Sequence, residues 1–189
     1  MTATTDPLRL AADGQPWPMT RARLLAFLAT TQIEATTVEH PPIFTVAEGA
    51  AYKAQWPGGR TKNLFLAAGD ALVLVCALGD SAIKVNALHR LVGTKRLSFG
   101  APDVLFDALG ARPGSVSLFA LANDRQNQVR VLLDHRLFAH QRVYFHPLEN
   151  TASTAIAPVD MLRFVRACGQ DPLIVDFARL ERIPIRSKA

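Results

Sequence analysis

The sequence predicts an α/β fold of the α+β kind, in which a single domain holds a mixed, largely antiparallel sheet with surrounding helices. Its 189 residues suit one domain, and a domain of this size buries roughly two-thirds of the surface that its unfolded chain exposes. Segments with strand-like and helix-like hydrophobic spacing alternate along the chain, and several neighbouring strands are separated only by short turns. Short turns join antiparallel strands, whereas a doubly wound parallel sheet needs a long crossover after each strand.

The predicted elements of the first half follow a polar arm. Residues 1–18 contain several turn-forming residues, and we expect a flexible arm up to Thr20, which can cap a helix. The segments after it are predicted as a helix over 21–31, a strand over 36–39, a helix over 46–55 and strands over 62–67 and 71–77. Gly69-Asp70 joins the last two strands, so they predict a β-hairpin.

The predicted elements of the second half continue the alternation. They are helices over 85–92, 102–109 and 158–168 and strands over 96–99, 116–121, 129–133, 142–145 and 151–156. Gly93, Gly110 and Gly169 stand directly after the three helices, where a glycine readily ends a helix. We place the main domain at 19–170 and treat 171–189 as a basic C-terminal extension, either a grip for RNA or a surface strand with a basic end.

Charge and hydropathy restrict the location and the partners of the protein. Twenty-one Lys and Arg against sixteen Asp and Glu give a net charge of +5, which suits the end of a folded RNA better than a long duplex. No apolar run approaches the roughly 20 residues of a membrane helix, and the first residues lack a signal-peptide pattern. Cys76 and Cys168 lie in apolar stretches and are expected to be reduced. We therefore expect a cytoplasmic protein that is not bound to a membrane.

Two segments contain candidate catalytic residues. At the start of the 62–67 strand, Lys62 and Asn63 place a cation beside an amide that can donate to one oxygen and accept from an amine. The alternative for Lys62 is a solvated lysine at a strand end. In the loop after Arg112-Pro113, the backbone N–H groups near Gly114 and Ser115 can hold a carbonyl oxygen, unless the loop is only a turn into a strand. No base or acid at a suitable spacing marks a serine nucleophile.

The histidines and a group of cations are the remaining candidates. His135, His140 and His146 lack a zinc-binding spacing, so no metal is expected. His146 stands in a loop between two predicted strands, where it either lines a pocket or closes the turn with its hydrogen bonds. A basic cluster forms either a phosphate-binding face or the solvated side of a short helix. Its members are Lys84, His89, Arg90, Lys95 and Arg96.

Five blocks of the sequence together resemble one family. They are Glu39 to Val46, Thr61 to Leu66, Leu97 to Phe99, Pro113 to Ser117 and Phe145 to Thr151. In this order they resemble the YbaK-like, prolyl-tRNA-synthetase-associated editing domains, and most closely the freestanding alanyl-tRNA(Pro) deacylase branch, also called PrdX or ProXp-ala. The similarity runs from about residue 20 to residue 169.

The resemblance implies the YbaK fold and hydrolysis of the ester between alanine and the 3′ adenosine of tRNA(Pro), with neither a metal nor an organic cofactor. It also implies that the protein binds tRNA and has prolyl-tRNA synthetase as a candidate partner. The expected oligomeric state is a monomer or weak dimer. The resemblance implies catalytic roles for four residues of this chain and substrate contacts for five more. The catalytic four are Lys62, Asn63, Gly114 and Ser115, and the substrate-binding five are Phe44, Thr45, Val116, Leu118 and His146.

One departure from the family concerns the amino acid that is removed. Relatives carry a proline where this chain has Leu118, and the loss of that rigid residue can reshape the wall that measures the amino-acid side chain. Serine, threonine and cysteine therefore stay open beside alanine. A noncatalytic nucleic-acid-binding module and a hydrolase of small esters that ignores RNA are the competing functions.

Overall fold

The computed structural model describes residues 9–42 and 56–184, and a mixed sheet runs through that part of the chain. Its strands are β1 (Thr36–Glu39), β2 (Gly59–Ala68), β3 (Ala71–Leu78), β4 (Ser98–Phe99), β5 (Val129–Asp134), β6 (Val143–Phe145), β7 (Ala152–Ile156), β8 (Leu173–Asp176) and β9 (Glu181–Ile183). The helices are α1 (Arg21–Thr30), α2 (Val85–Val92), α3 (Pro102–Leu109) and α4 (Pro158–Ala167). Two 3₁₀ segments cover Leu118–Asn123 and His135–Ala139.

The sheet has the order β1-β7-β6-β2-β3-β5-β8-β9, and β4 pairs separately with β2. The pairs β1–β7, β6–β7, β2–β3, β2–β4 and β8–β9 are antiparallel. The pairs β2–β6, β3–β5 and β5–β8 are parallel. The prediction of a mixed, largely antiparallel sheet with surrounding helices is therefore confirmed, as is the β2–β3 hairpin.

The two faces of the sheet are buried by different helices. On β2, Phe65 belongs to a larger core with α1, α3 and α4, while Leu66 belongs to a smaller core with α2. On β3, Leu74 and Val75 divide in the same way. This division follows from the strand period of two, which sends successive side chains to opposite faces. The central strands are apolar on both faces because helices cover both.

Helix ends follow the local signals of the sequence. Thr20 caps α1, since its hydroxyl oxygen accepts a hydrogen bond from the Arg23 N–H (3.4 Å). Gly93 and Gly110 end α2 and α3 with φ values of 68° and 61°. Glycine adopts this left-handed conformation without the steric penalty of a Cβ atom. In the described ranges 9–42 and 56–184, no helix combines the length and the apolar character needed to cross a membrane.

The prediction of a strand over 116–121 is wrong. Residues Leu118–Asn123 form a 3₁₀ segment instead, and the Ser117 hydroxyl caps it by accepting from the Phe119 N–H (3.2 Å). All six residues are buried, so their hydrophobicity does not alternate. A short, uniformly apolar run does not distinguish a buried strand from a buried helical turn. The predicted helix over 46–55 lies outside the described residues.

The described half of the predicted flexible arm is folded against the domain. Ala11 is fully buried, and the Ala12 N–H donates to the carbonyl of Ala122 (2.7 Å). The Trp17 ring packs edge-on against Phe106 with 5.1 Å between centroids. Turn-forming residues suggested a frayed segment, whereas the buried contacts of Ala11 and Trp17 order residues 9–18.

The sheet also continues past the predicted domain boundary at residue 170. β8 lies beside β5, and β9 adds the last strand at the edge. This agrees with the surface-strand alternative for the tail. Arg182 in β9 donates through Nε to the carbonyl of Leu91 (3.0 Å), so one of the basic residues of the tail serves inside the fold.

Candidate functional site

Among the residues that the structure describes, part of one edge of β2 is without a strand partner. β3 occupies one edge of this strand from Thr61 to Ala68. β6 and β4 share the other edge, where β6 pairs at Gly59 and Arg60 and β4 pairs at Leu66 and Ala67. Between these two strands, residues 62–64 have no strand partner on that edge among residues 9–42 and 56–184. We call this opening the β2 gap.

The main chain of Asn63 points into the β2 gap. Across the same edge, the Phe65 carbonyl accepts a hydrogen bond from the Gly100 N–H (3.0 Å). Polar main-chain groups of a strand alternate between its two edges, so the N–H and C=O of Asn63 face the same way as those of Phe65. An exposed strand edge of this kind is a binding site for main-chain-like groups of a ligand.

Lys62 and Asn63 leave β2 in opposite directions. Lys62 lies on the face of Leu64 and the smaller core, and Asn63 on the face of Phe65 and the larger core. The sequence predicts a cation and an amide side by side, whereas the two side chains point to opposite faces of the sheet. A single ligand can contact both side chains only from the β2 gap, which borders both faces of the sheet.

The ammonium group of Lys62 is held by the turn that follows β3. The Lys62 side chain is half-buried, and its Nζ donates to the carbonyl oxygen of Ser81. The Ser81 hydroxyl in turn donates to the buried carboxylate of Asp134. Asp134 also accepts from the N–H groups of Leu78 (3.3 Å) and Arg136 (2.9 Å). A chain of hydrogen bonds from β5 thus fixes the position of the lysine.

The carboxylate next to this turn is ionised by its neighbours. A hydrogen bond from Arg136, and to a smaller degree the charge of Lys62, hold the pKa of Asp80 below its ordinary value. The environment of Lys62 therefore combines a neutral carbonyl acceptor with one negative charge.

Asn63 has an unused acceptor. Its Nδ2 group donates to the Thr61 hydroxyl (3.4 Å), which itself donates to the carbonyl of Tyr144 (2.6 Å). The Oδ1 atom of Asn63 is buried and has no hydrogen-bond partner within the described part of the chain. A buried acceptor without a partner costs about 1–3 kcal/mol, and a ligand N–H or O–H group would remove that penalty.

His146 leaves β6 beside the β2 gap. The parallel register pairs Gly59 with Val143 and Arg60 with Tyr144, and β6 ends at Phe145, one residue before His146. The His146 Nδ1 atom lies 3.0 Å from the carbonyl of Ala152. That nitrogen must carry the proton, because a carbonyl only accepts.

A second histidine, His40, packs 6.0 Å from His146. Its Nδ1 atom lies 2.8 Å from the Pro41 carbonyl, so its Nε2 atom in the neutral ring accepts from the Ser153 hydroxyl (2.9 Å). Sequence reasoning missed His40 as a site residue. Each of the two histidines precedes a proline, and this repeated His-Pro pair is the signal that could have found it.

The glycine loop presents two unused N–H groups. Gly114 has φ +91°, whereas the Ser115 N–H donates to the Arg112 carbonyl (3.0 Å). The Ser115 hydroxyl also donates to that carbonyl (3.0 Å) and accepts from the Arg112 N–H (3.2 Å). Ser115 therefore closes its own turn. No hydrogen bond among the described residues uses the N–H of Gly114 or Val116, so these two donors fit an oxyanion site.

Leu118 does not line a pocket directly. It is fully buried in the larger core, and Val116 is partly buried against the same core. The 3₁₀ segment that follows the loop contacts the end of β6 through Phe119, whose ring packs 5.6 Å from Phe145. Within the described residues no hydrogen bond joins the loop to Lys62. Phe44 and Thr45, the two other predicted substrate contacts, lie outside the described residues.

The cysteines and possible metal ligands add no further chemistry to this region. Cys76 and Cys168 are free and buried, and burial raises the pKa of both thiols. In the part of the chain that the structure describes, no three His, Cys, Asp or Glu side chains are grouped to hold a metal ion.

The described residues thus form a mixed α+β sheet in which part of one edge of β2 has no strand partner, with Lys62 held beside it by Ser81. Residues 40–164 match the family model of the aminoacyl-tRNA editing domain. The chain belongs to this family.

Relatives of nearly the same length support the assignment. Prolyl-tRNA synthetase associated domain-containing protein 1 of Danio rerio is 35% identical over 160 residues, which cover 83% of this chain and 87% of the relative. The prolyl-tRNA editing protein ProX of Acetoanaerobium sticklandii is 32% identical over 148 residues, which cover 77% and 90%. A crystal structure of a candidate trans-editing enzyme for prolyl tRNA synthetase shares the fold, with a TM-score of 0.64 at 20% identity over 84% of this chain and 97% of that one.

Proposed function

We propose that the protein is a trans-editing deacylase that hydrolyses the aminoacyl ester of mischarged tRNA(Pro), with Ala-tRNA(Pro) as its first candidate substrate. The observation that carries the proposal is the β2 gap, into which the main chain of Asn63 points and beside which Ser81 holds Lys62. The family of the chain and the names of its relatives agree with it. The reaction makes the protein a carboxylic ester hydrolase.

The proposed chemistry uses water as the nucleophile. Water attacks the carbonyl carbon of the ester, the bond to the 3′ oxygen of the terminal adenosine breaks, and the proton lost by water ends on that oxygen. The Gly114 and Val116 N–H groups stabilise the oxyanion, since the Ser115 N–H is already bonded. An aminoacyl ester is an activated substrate, so positioning and oxyanion stabilisation suffice without a protein nucleophile.

Lys62 and Asn63 have separate roles in this proposal. The Lys62 ammonium neutralises the terminal phosphate or polarises the ester from one face of the sheet. The Asn63 Oδ1 atom, which has no partner among the described residues, accepts a hydrogen bond from the α-amino group of the amino acid. His146, one residue after the end of β6, completes the wall of the site.

Selection of the amino acid is the reason for a second, hydrolytic site. A synthetase pocket built for proline admits the smaller alanine, because one methylene changes binding by only about 1–3 kcal/mol. A pocket that includes Val116, Phe44 and Thr45 would admit alanine and exclude proline. Leu118 stands in place of the proline of the family's loop, and serine, threonine or cysteine is therefore the alternative substrate side chain.

The proposal also includes the location, the oligomeric state and the protein partner of the deacylase. A freestanding editing domain acts in the cytoplasm on tRNA that the synthetase has released, as a monomer or weak dimer. Prolyl-tRNA synthetase is its candidate protein partner. Retention of both Lys62 and Asn63 favours catalysis over a noncatalytic RNA-binding module on the same fold.

The decisive experiment measures release of the amino acid from tRNA(Pro) charged separately with Ala, Ser, Cys and Pro. Wild type is expected to release Ala faster than the other three, and Lys62→Ala to lower kcat/KM by about 100-fold. The variant Arg166→Ala, on α4 and ion-paired with Asp171, serves as the control. If wild type releases no amino acid faster than buffer, the deacylase proposal fails. If Lys62→Ala equals wild type, the assignment of Lys62 fails.

A further inference from the structure

We propose that the segment from Ser81 to Phe99 is the docking surface for the backbone and the unpaired 3′ end of the tRNA. The inference rests on the proposed function and adds to it the part of the chain that holds the RNA. We call the exposed side chains of Lys84, Arg90, Lys95, Arg96 and Phe99 the basic surface.

The basic surface is attached to the Lys62 strand at both ends. It begins at Ser81, whose carbonyl accepts the hydrogen bond from Lys62. It ends in β4, where Phe99 pairs with Leu66 of β2. An RNA end bound along this segment therefore arrives at the β2 gap.

The charge of the basic surface is not neutralised by carboxylates. The sequence contains no Asp or Glu from Ser81 to Pro102. Its two lysines and two arginines are exposed and make no ion pair with any described residue. In contrast, many of the other arginines are bound to carboxylates, namely Arg21, Arg23, Arg136, Arg163, Arg166 and Arg179. Unpaired surface cations are those that phosphate groups bind with release of counterions.

The basic surface includes one residue, Arg90, of the well-anchored helix α2. α2 buries Leu88, Leu91 and Val92 in the smaller core, so its charged residues are left on the outside. Arg130 of β5 donates to the Val92 carbonyl, and Arg182 of β9 donates to the Leu91 carbonyl. These bonds satisfy the last carbonyls of α2, which a helix cannot satisfy itself.

Phe99 gives the basic surface an aromatic contact. It is 68% exposed, more than any other large hydrophobic side chain in the described ranges. Because cross-strand partners share a face, Phe99 projects on the face of Leu66, which is also the face of Lys62. Aromatic side chains between cations bind unpaired nucleotides by stacking. The combination fits a single-stranded RNA end better than an apolar protein partner, which would need more than one exposed apolar residue.

The test compares a long and a short substrate. Lys95→Ala/Arg96→Ala and Phe99→Ala are assayed on Ala-tRNA(Pro) and on the alanyl ester of adenosine, which lacks phosphates. On the tRNA we expect KM to rise about tenfold for the double variant, with kcat within about twofold and a weaker dependence of kcat/KM on salt. On the short ester we expect no change. Arg166→Ala, which removes an ion-paired arginine, is the matched control.

Two results would overturn the inference. The first is an unchanged KM for tRNA in both variants, and the second is an equal loss on both substrates. Binding of uncharged tRNA(Pro), followed by fluorescence anisotropy, tests the surface without any hydrolysis. If the wild type fails to deacylate yet binds tRNA through the basic surface, the deacylase proposal falls and the docking surface stands. If the double variant binds uncharged tRNA(Pro) as tightly as wild type, the docking surface falls.

Discussion

The side chain of Lys62 donates to the carbonyl of Ser81, so the residue proposed to act on the ester is positioned by the turn after β3. Ser81 itself is fixed through its hydroxyl by the buried carboxylate of Asp134. The lysine therefore depends on a residue in a strand two places away in the sheet. This dependence can be tested without touching Lys62.

Removing the Ser81 hydroxyl should loosen the turn while leaving the carbonyl in place. For Ser81→Ala we expect kcat on the aminoacyl-tRNA to fall several-fold with KM little changed, and the free energy of unfolding to fall by about 1 kcal/mol. Ser81→Thr, which keeps a hydroxyl, should restore kcat. The measurements are steady-state deacylation and urea unfolding. A wild-type kcat for Ser81→Ala would show that the turn does not position the lysine.

His146 is expected to matter more for catalysis than for folding. Its ring is half-buried just after the end of β6, and its Nδ1–H donates to the main-chain carbonyl of Ala152 (3.0 Å). We expect His146→Ala to lower kcat/KM by about tenfold or more. The thermal midpoint should stay within a few degrees of wild type. If instead stability collapses and activity per folded molecule is unchanged, the residue only closes the turn before β7.

Asp13 should give the N-terminal arm a pH-dependent contribution to stability. The hydrogen bond from Arg23 holds the pKa of Asp13 below its ordinary value. A lowered pKa means stability that is present above the unfolded-state pKa and is lost as the pH falls through the folded-state pKa. Near pH 7, Asp13→Asn should lower the free energy of unfolding by about 0.5–1 kcal/mol.

The pH series checks the origin of that difference. The difference in unfolding free energy between wild type and Asp13→Asn should shrink as the pH falls below about 4, where the carboxylate of the unfolded chain takes up a proton. Urea unfolding at a series of pH values measures it. A difference that stays constant down to low pH would mean that the carboxylate charge is not its source.

Replacing Leu118 by the proline of the family's loop should separate stability from selectivity. Leu118 is fully buried, so loss of its side chain costs about 1–3 kcal/mol of unfolding free energy. Its N–H takes part in no hydrogen bond among the described residues, and it opens the 3₁₀ segment, a position that proline tolerates. We expect the ratio of Ala to Ser release to change. An unchanged ratio would remove Leu118 from the selection of the amino acid.

The local elements of the fold could be predicted, because their signals are local. Thr20 before α1, Gly93 after α2 and the turn at Gly69-Asp70 each act within a few residues. The β2 gap could not be predicted, since it depends on β6 lying parallel to β2 and on β4 returning farther along the same edge. Neither pairing joins strands that are neighbours in sequence.

Two expectations about the site treat a motif as a unit. The first pairs Lys62 with Asn63, although the strand period sends their side chains to opposite faces of the sheet. The second makes Leu118 a pocket wall, although its apolar neighbours place it in the core. His40 and Ser81 gained their importance only from residues distant in sequence, Ser153 and Asp134.

The hydrogen bond from Arg182 to the end of α2 gives the C-terminal strand β9 a role in holding that helix in place. From the sequence alone, a grip for RNA is one of two alternatives for the basic tail, beside a surface strand with a basic end. Arg182 instead bonds to α2, and it thereby connects the outermost strand of the sheet to the helix that bears part of the basic surface. Trimming the chain after β8 should therefore weaken RNA affinity by loosening α2, even though no residue of the basic surface has been removed.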